Sequence, residues 1–566
     1  MPDPAVGPQI NMDVLNRIPP DARVVVEIGC GDGALGAHLC RINPAAHYYG
    51  IEPNADRAQL AQQHLHRVAK GNAEEVEIDT LGLEPGKVDC LVYNGALECM
   101  RDPWGAVRKH ASWLRDGGQV VACIANVQHW STFLHLVTGD WRYDQPGGFL
   151  KRDQLRYFSL DTMKELFTSA GLRVFHTLPR LLESQQFRPF RLALSPILQA
   201  LKVNEDEFDD RLHALQFVVR AVKTPQPPRA VFLFTCVLEP MVAAVRVWEP
   251  ERCLNTIPGV RAGSLVKSAD LGLERPEEAK IYVWQRVILV RGPSLTMHQE
   301  LLRRGYLTVA EYDDDPDHFP DIGANDYLTL SGCHCVQTST EALATELRRH
   351  NPHVQVFPNQ LAALPPPRTY KPDGPLTLFF GALNRQADWK PLMPALNRVL
   401  ATQGDRVHVR VIWDQEFFRA LETPHKTFED WCAYERYQEI LHGCDIALLP
   451  LNATRFNSLK SDVKFIECAG HGVTVLASPT VYAGSLRSEE TGLLFETPAQ
   501  FEAQLQRLLN DGELRLALAN NAYQYVAQTR LQVHHYRKRY EWYCQMLDQL
   551  PRLTADLRQR VPELFE

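Results

Sequence analysis

The sequence holds no apolar run approaching the roughly 18 residues that a membrane span requires. Nor does Met1-Pro2-Asp3-Pro4 open a basic segment followed by an apolar one. The first absence argues against a transmembrane helix, and the second leaves no signal peptide visible. Positive charge is also short: 60 Lys and Arg stand against 68 Asp and Glu, a net charge of −8. A nucleic-acid binder needs a basic face to neutralise phosphates, so no nucleic-acid partner is expected. The 13 cysteines are odd in number and lack framework spacing, as reduced thiols of a cytoplasmic protein would. Cys333-His334-Cys335 is too tight for tetrahedral zinc and has no partner pair, which assigns it to the interior or a loop. What is present is ordinary globular composition, 45% hydrophobic and 23% charged over 566 residues. That length accommodates about three to four domain-sized units. A soluble, cytoplasmic protein is expected, with association at a membrane surface left open through a lipid-borne substrate.

The most informative stretch is Val24-Val25-Val26-Glu27-Ile28-Gly29-Cys30-Gly31-Asp32-Gly33. A strand entering a Gly-rich turn lets backbone approach a ligand closely. Ile51-Glu52 ends a second apolar run about twenty residues on, the distance at which an acid can accept ribose hydroxyls. A dinucleotide fingerprint is G-x-G-x-x-G, whereas Gly29, Gly31 and Gly33 give G-x-G-x-G preceded by Glu27. The E-x-G-x-G-x-G pattern resembles motif I of class I S-adenosylmethionine-dependent methyltransferases. The resemblance implies that the glycine loop passes the methionine moiety and that Glu52 holds the ribose.

Strand and helix patterns alternate along the chain, which implies mostly parallel sheets covered on both faces. Strands are expected at Val24–Ile28, Tyr48–Ile51, Val88–Tyr93, Gln119–Ile124, Leu172–Phe175 and Leu215–Val222. Ala58, Ala61, Leu65 and Val68 recur at helical spacing and predict one apolar helix face. The polar, proline-rich Lys223–Arg229 reads as a linker. Beyond it the alternation restarts twice. Ala230–Val237, Ile281–Leu289, Leu307–Tyr312, Cys335–Thr338 and Val354–Phe357 suit one unit. Leu376–Phe380, Val407–Trp413, Asp445–Leu451, Val473–Ser478 and Gly492–Phe495 suit another, across a proline-rich joint at Leu361–Asp373. Phe501–Leu550 is expected to be mainly helical. The expected domains are 1–224, 230–364 and 374–550, all α/β and Rossmann-like, with a ligand-sized cleft between the last two.

Further positions extend the first resemblance. Asn72 and Ala73, in Gly71-Asn72-Ala73-Glu74, fall where the family places residues beside the adenine. Tyr93-Asn94-Gly95-Ala96-Leu97-Glu98-Cys99-Met100 looks like the family's block after strand four, which puts Asn94 with the cofactor. Gly95 and Cys99 stand where relatives carry Asp and His. His129, just past strand five, is the candidate general base for a hydroxyl acceptor, the alternative being a surface histidine capping a loop. Gly139–Tyr143 and Gly148–Phe158 mix aromatic and charged residues. They resemble the block after strand five in methyltransferases associated with polysaccharide glycosyltransferases, where a lid could stack on a sugar.

In the second half, Asp445–Asn452 leads into Asn457–Glu467 and Cys468–Ser478. A buried strand, a basic loop and a helix together suit a diphosphate. The E-x-x-x-x-G-x-x-V-x-A-S pattern from Glu467 resembles the donor domain of retaining glycosyltransferases with two Rossmann-like domains, the family 4 type of GT-B enzyme. The resemblance spans about Ala230–Val526. It implies a nucleotide-diphosphate sugar as co-substrate, met by Gly381, Arg385, Lys390, Lys460, Lys464 and Glu467. The family's Glu-x7-Glu motif wants an acid eight residues before Glu467, and Leu459 stands there. Thr338-Ser339-Thr340-Glu341 has the form of a capping box. Glu311–His318 clusters carboxylates, and an acceptor-facing or solvated loop is expected rather than a metal site.

The pairing of domains implies a bifunctional enzyme. It would be a S-adenosylmethionine-dependent, O-directed methyltransferase joined to a retaining glycosyltransferase, acting on a bacterial surface glycan or glycoprotein. Its partners would be a glycan or glycan-carrier acceptor and a nucleotide sugar. One alternative keeps the methyltransferase and makes the second half a non-catalytic glycan- or carrier-binding module. The other is a scaffold that retains both cofactor folds.

Overall fold

The computed structural model describes residues 10–143, 150–181, 185–268, 270–368 and 374–566. The first residues of the chain, Gly148-Phe149 and the far end of the proline-rich joint lie outside the described residues. The chain divides into two compact units, one of residues up to Ala230 with Asn255–Val260, the other of Val231–Leu254 with Arg261–Glu566.

The first unit is built on strands β1 (Val24–Ile28), β2 (His47–Glu52), β3 (Arg67–Lys70), β4 (Val88–Asn94), β5 (Leu114–Ala125), β6 (Arg173–Leu181) and β7 (Ala214–Val222). They form one seven-stranded sheet in the order β3-β2-β1-β4-β5-β7-β6. Neighbours from β3 to β5 run parallel, and β7 is antiparallel to both β5 and β6. The β-branched run Val24-Val25-Val26 suits the centre of such a sheet, buried on both faces. Helix Ala34–Ile42 buries Leu35, Leu39 and Ile42, the three-to-four spacing of one helical face.

One sequence expectation is corrected here. The helix carrying Ala58 ends at Ala61, and Val68 belongs to β3. With β2 ending at Glu52 and β3 starting at Arg67, the connection has room for only a short helix and its return. Leu65 reaches inward all the same, beside Gly33, Gly36 and Gly50.

The second unit holds two sheets. Strands β8 (Val231–Val237), β9 (Val260–Val266), β10 (Ala279–Gln285), β11 (Leu307–Glu311), β12 (Cys335–Thr338) and β13 (Val354–Val356) take the order β13-β12-β11-β10-β8-β9. Strands β14 (Leu376–Gly381), β15 (Val407–Ile412), β16 (Lys426–Glu429), β17 (Ile446–Leu449), β18 (Thr474–Ala477) and β19 (Leu493–Leu494) take the order β16-β15-β14-β17-β18-β19, parallel throughout. The strand expected over Ile281–Leu289 stops at Gln285, because Arg286 adopts a left-handed φ of 55°. β9 and β16 were not anticipated. Helices Tyr536–Asp548 and Leu550–Arg560 return to the first of these sheets. There Tyr543 donates to Gln337 Oε1 at 2.8 Å and Leu557 joins the core with Leu328, Leu343 and Leu347.

Candidate functional sites

At the carboxyl end of β1 the backbone amides of Gly29 and Cys30 still donate to Ile51, at 2.8 and 3.2 Å. The chain then turns through left-handed glycines. Gly33 has φ +83°, and a Cβ there would lie 3.1 Å from the Ala61 backbone, so no other residue fits without strain. Gly31 has φ +58° and open space where its Cβ would be, which leaves its backbone accessible. Its amide donates to Glu52 Oε2 at 2.9 Å, while Glu52 Oε1 accepts the Asn54 amide at 3.0 Å. Glu52 therefore fixes the loop and the start of the next helix. Each carboxylate oxygen retains a further lone pair.

Glu27 is 2% exposed and accepts the Tyr48 hydroxyl at 3.0 Å. Burial pushes its carboxyl up to about 8; the Tyr48 hydrogen bond opposes this, and Asp32 and Glu52 add to it. Asp32 and Glu52 thus crowd one loop with the protonated Glu27 carboxyl, an arrangement that suits a cationic ligand.

Asn72 Oδ1 caps the Glu74 amide at 3.1 Å, and the Glu74 carboxylate accepts the amides of Arg101 and Asp102 at 3.1 and 2.7 Å. The Ala73 carbonyl lies 3.1 Å from His110 Nε2, whose Nδ1 lies 2.9 Å from the Tyr93 hydroxyl. These contacts tie the segment after β3 to β4. Asn94 ends β4 exposed, its Oδ1 accepting from Asn11 at 2.9 Å.

Glu98 is the residue that the sequence reading passed over. It is buried, and its Oε1 accepts the Ala125 amide at 2.7 Å at the end of β5. Its Oε2 has no hydrogen-bond partner, and burial raises its pKa. Just past β5, Gln128 Oε1, His129 Nε2, Trp130 Nε1 and Thr132 Oγ1 are likewise buried without partners. A native interior rarely leaves so many polar atoms unpaired in one stretch. His129 is buried, not on the surface, and stands at the N-cap of helix Trp130–Thr138 with Nδ1 2.8 Å from Ser131 Oγ. Burial lowers its pKa to about 4, with His213 adding to the shift, so the imidazole is neutral at physiological pH.

In the second unit Arg385 donates to Asn457 Oδ1 at 2.6 Å and lies 3.4 Å from Asp388. Asp388 in turn accepts Asn457 Nδ2 and the Asn452 amide, at 3.0 and 2.8 Å. The loops after β14 and β17 are thereby joined beyond Gly381. Lys390 is exposed and lies 3.5 Å from Glu416. Lys460 is 2.6 Å from Asp314 and sits over the Phe456 ring at 4.1 Å. The Glu311–His318 acidic cluster is met by cations: Arg286 pairs with Asp313 at 2.6 Å and Arg455 with Asp317 at 2.8 Å.

Glu467 is buried, its two oxygens taken by the hydroxyls of Tyr434 at 3.1 Å and Tyr437 at 2.9 Å. Trp413, with φ +71°, stacks on Tyr437 at 5.4 Å between centroids, and the Lys464 ammonium lies over both rings. Leu459, where the motif wants an acid, is 6% exposed and packs into the same apolar cluster as Leu343 and Leu557. The capping box expected from Thr338 to Glu341 does not form: Thr340 is the N-cap of helix Glu341–Leu347 and Glu341 its first residue. His334 is buried, bonded to Thr308 at 2.9 Å and Thr554 at 3.1 Å.

Residues 26–120 match the family model of a methyltransferase domain, and residues 390–545 that of a glycosyl transferase-like domain. An uncharacterized 37.1 kDa transposon protein of Streptomyces fradiae is 27% identical over 113 residues, 20% of this chain and 32% of that protein. A ubiquinone biosynthesis O-methyltransferase of Albidiferax ferrireducens is 27% identical over 136 residues, 23% of this chain and 53% of the relative. The chain thus spans between a third and about half of the length of these curated relatives. Among solved structures, sucrose-phosphate synthase of Thermosynechococcus elongatus has a TM-score of 0.41 at 13% identity, covering 56% of this chain and 99% of that one. The chain is an α/β protein. Its first unit holds a Rossmann-like sheet matched in part by the methyltransferase domain model, and its second unit holds two Rossmann-like sheets matched in part by the glycosyl transferase-like model. No helix among the described residues is long and apolar enough to cross a membrane.

Proposed function

We propose that the chain methylates a hydroxyl with S-adenosylmethionine and transfers a sugar from a nucleotide-diphosphate donor with retention, both on a bacterial surface glycan or glycoprotein. The observation that carries the first activity is the glycine loop held by Glu52. Its open backbone at Gly31 and its surplus of carboxylates suit a cationic nucleoside cofactor. Glu27, Gly29, Gly31, Gly33, Glu52, Asn72, Ala73 and Asn94 would hold the cofactor, which when bound supplies a methyl already activated on a sulfonium. The protein then has mainly to position the nucleophile and take its proton. His129 can take that proton, since Nε2 is unpartnered and the ring neutral, but the burial that lowers its pKa to about 4 makes it a weaker base than a free imidazole. Glu98 would bind acceptor hydroxyls through Oε2.

Glu52→Ala is expected to weaken S-adenosylmethionine binding by about 1–3 kcal/mol through lost hydrogen bonds, read by calorimetry. Unchanged affinity would sink the cofactor assignment. His129→Ala should keep that affinity while methyl transfer falls by about 10²–10⁴-fold. Because His129 is neutral above about pH 4, wild-type transfer should be flat from pH 6 to 8.

For the second activity, Gly381, Arg385, Lys390, Lys460, Lys464 and Glu467 would meet the nucleotide sugar. A second reading has its own support. Leu459 lies in the core, Lys460 is paired with Asp314, and both Glu467 oxygens are occupied. These observations favour a non-catalytic glycan- or carrier-binding half. Incubation with a panel of nucleotide sugars separates the two: steady donor turnover is expected of a glycosyltransferase, and binding without turnover would leave the module.

A further inference from the structure

The acidic run Asp313-Asp314-Asp315-Pro316-Asp317 follows β11 in the second unit and serves neither activity proposed above. Its counter-cations come from two places. Arg286, just past β10, pairs with Asp313 at 2.6 Å and reaches Asp314 at 3.5 Å. The others come from the basic loop that precedes helix Val463–Gly470. Arg455 pairs with Asp317 at 2.8 Å, and Lys460 pairs with Asp314 at 2.6 Å.

The two sides of the Lys460–Asp314 pair are held very differently. The backbone of the basic loop is fixed, since Leu459 lies in the apolar cluster and its carbonyl accepts the Thr340 hydroxyl at 3.4 Å. Arg455 adds a second hold on Glu346 at 3.1 Å. Asp314 is fixed too: Oδ1 accepts the Asp315 amide at 3.0 Å and Oδ2 faces Arg286. It would keep a hydrogen bond and a cation if Lys460 left it. The movable part is the Lys460 side chain, a flexible four-carbon stem ending in a compact charge and 22% exposed.

Lys460 also stands beside another cation. Its ammonium lies 4.1 Å from the centroid of the Phe456 ring, and the Arg385 guanidinium lies 6.0 Å from the same centroid. Arg385 follows β14 and Lys460 follows β17, the neighbouring strands at which the order of this sheet reverses. An open parallel sheet binds its ligands at that reversal. Two cations converging there repel one another, and a ligand with two phosphates satisfies both.

We infer that Asp314 competes with the donor's diphosphate for Lys460, so that the acidic run is a built-in brake on nucleotide-sugar binding. The inference rests on the donor reading above, in which Arg385 and Lys460 meet the diphosphate. The exchange is of partners only: a phosphate takes the ammonium from a carboxylate that Arg286 continues to compensate.

The test is calorimetry of the full chain with inorganic pyrophosphate, a probe that has neither base nor sugar. Asp314→Asn keeps an oxygen for the Asp315 amide and removes the competing charge. It is expected to bind pyrophosphate about tenfold more tightly than wild type. Asp314→Ser removes the same charge with another side chain and should act alike. Loss of any nearby negative charge favours an anion, so the deciding measurement is the cycle through Lys460. Beside Lys460→Gln there is no ammonium to contend for, and adding Asp314→Asn should change affinity by less than about twofold. Equal affinity of wild type and both Asp314 variants overturns the inference and makes the contact a structural ion pair. A gain of the same size beside Lys460→Gln overturns it as well, and assigns the effect to the field of the whole loop. In both of those outcomes the diphosphate site stands. Absence of pyrophosphate binding by all of these proteins overturns the inference together with the donor reading.

Discussion

Leu459→Glu, the substitution that would restore the two-glutamate pattern, is expected to destabilise the second unit by on the order of 4 kcal/mol. The side chain lies in the apolar cluster with Leu328, Leu343, Leu347 and Leu557. Removing it forfeits its burial, about 2 kcal/mol, and a carboxyl placed there must be desolvated or protonated at further cost. Leu459→Met, close in volume, should cost less than about 1.5 kcal/mol. Chemical unfolding of the two variants beside wild type reads both numbers. A glutamate tolerated within about 1 kcal/mol, accompanied by a gain in donor turnover, would show a vacated catalytic position instead of a packing one. The neighbouring Lys460 is committed in the same way, its ammonium already paired with Asp314. The motif loop is wedged into the first Rossmann half, so its chemistry is no longer set by the motif alone.

What the sequence made legible follows burial. β1, β4, β8, β11 and β14 are interior strands with apolar runs, and each was read within two residues of its limits. The three strands missed, β3, β9 and β16, all lie at sheet edges. Arg67 and Lys70 bracket β3, and β16 reads Lys-Thr-Phe-Glu. An edge strand meets water on one side and is blunted by charge, so it lacks the apolar signature by design. The glycine loop was legible for a different reason: positive φ at Gly31 and Gly33 restricts residue choice directly. Glu98 was not legible. Nothing in Leu97-Glu98-Cys99 tells that Glu98 turns inward to the Ala125 amide, since that contact joins the short turn after β4 to the end of β5, 27 positions on. Likewise, Glu467 was found by pattern, while the two tyrosines that occupy it come from a separate helix, Tyr434–His442.

Glu27→Gln is expected to abolish a pH-dependent weakness of the first unit. Folding holds the wild-type carboxyl protonated up to about 8 against an ordinary value of 4.5, burial being the chief cause. Its contribution is therefore complete below 4.5 and is lost as pH rises from there through 8, since the unfolded chain releases the proton first. A shift of that size corresponds to a few kcal/mol. Glutamine keeps an oxygen for the Tyr48 hydroxyl and carries no charge to desolvate. Hydrogen exchange of the β1 and β2 amides should thus show variant and wild type alike near pH 4.5 and the variant more protected, by a few kcal/mol, at pH 8. The difference at each pH cancels the intrinsic pH dependence of exchange. Equal protection at both pH values would mean that Glu27 is ionised in the fold. Saturation with S-adenosylmethionine supplies a further reading. A cation bound at this loop favours the ionised form of Glu27, so the wild-type loss between pH 4.5 and 8 should shrink when the cofactor is bound. In the Glu27→Gln protein bound cofactor should shrink it far less. A cofactor that raised protection equally in both proteins at every pH would be bound without sensing the buried acid, and the carboxylate cluster would then have no part in selecting a cationic ligand.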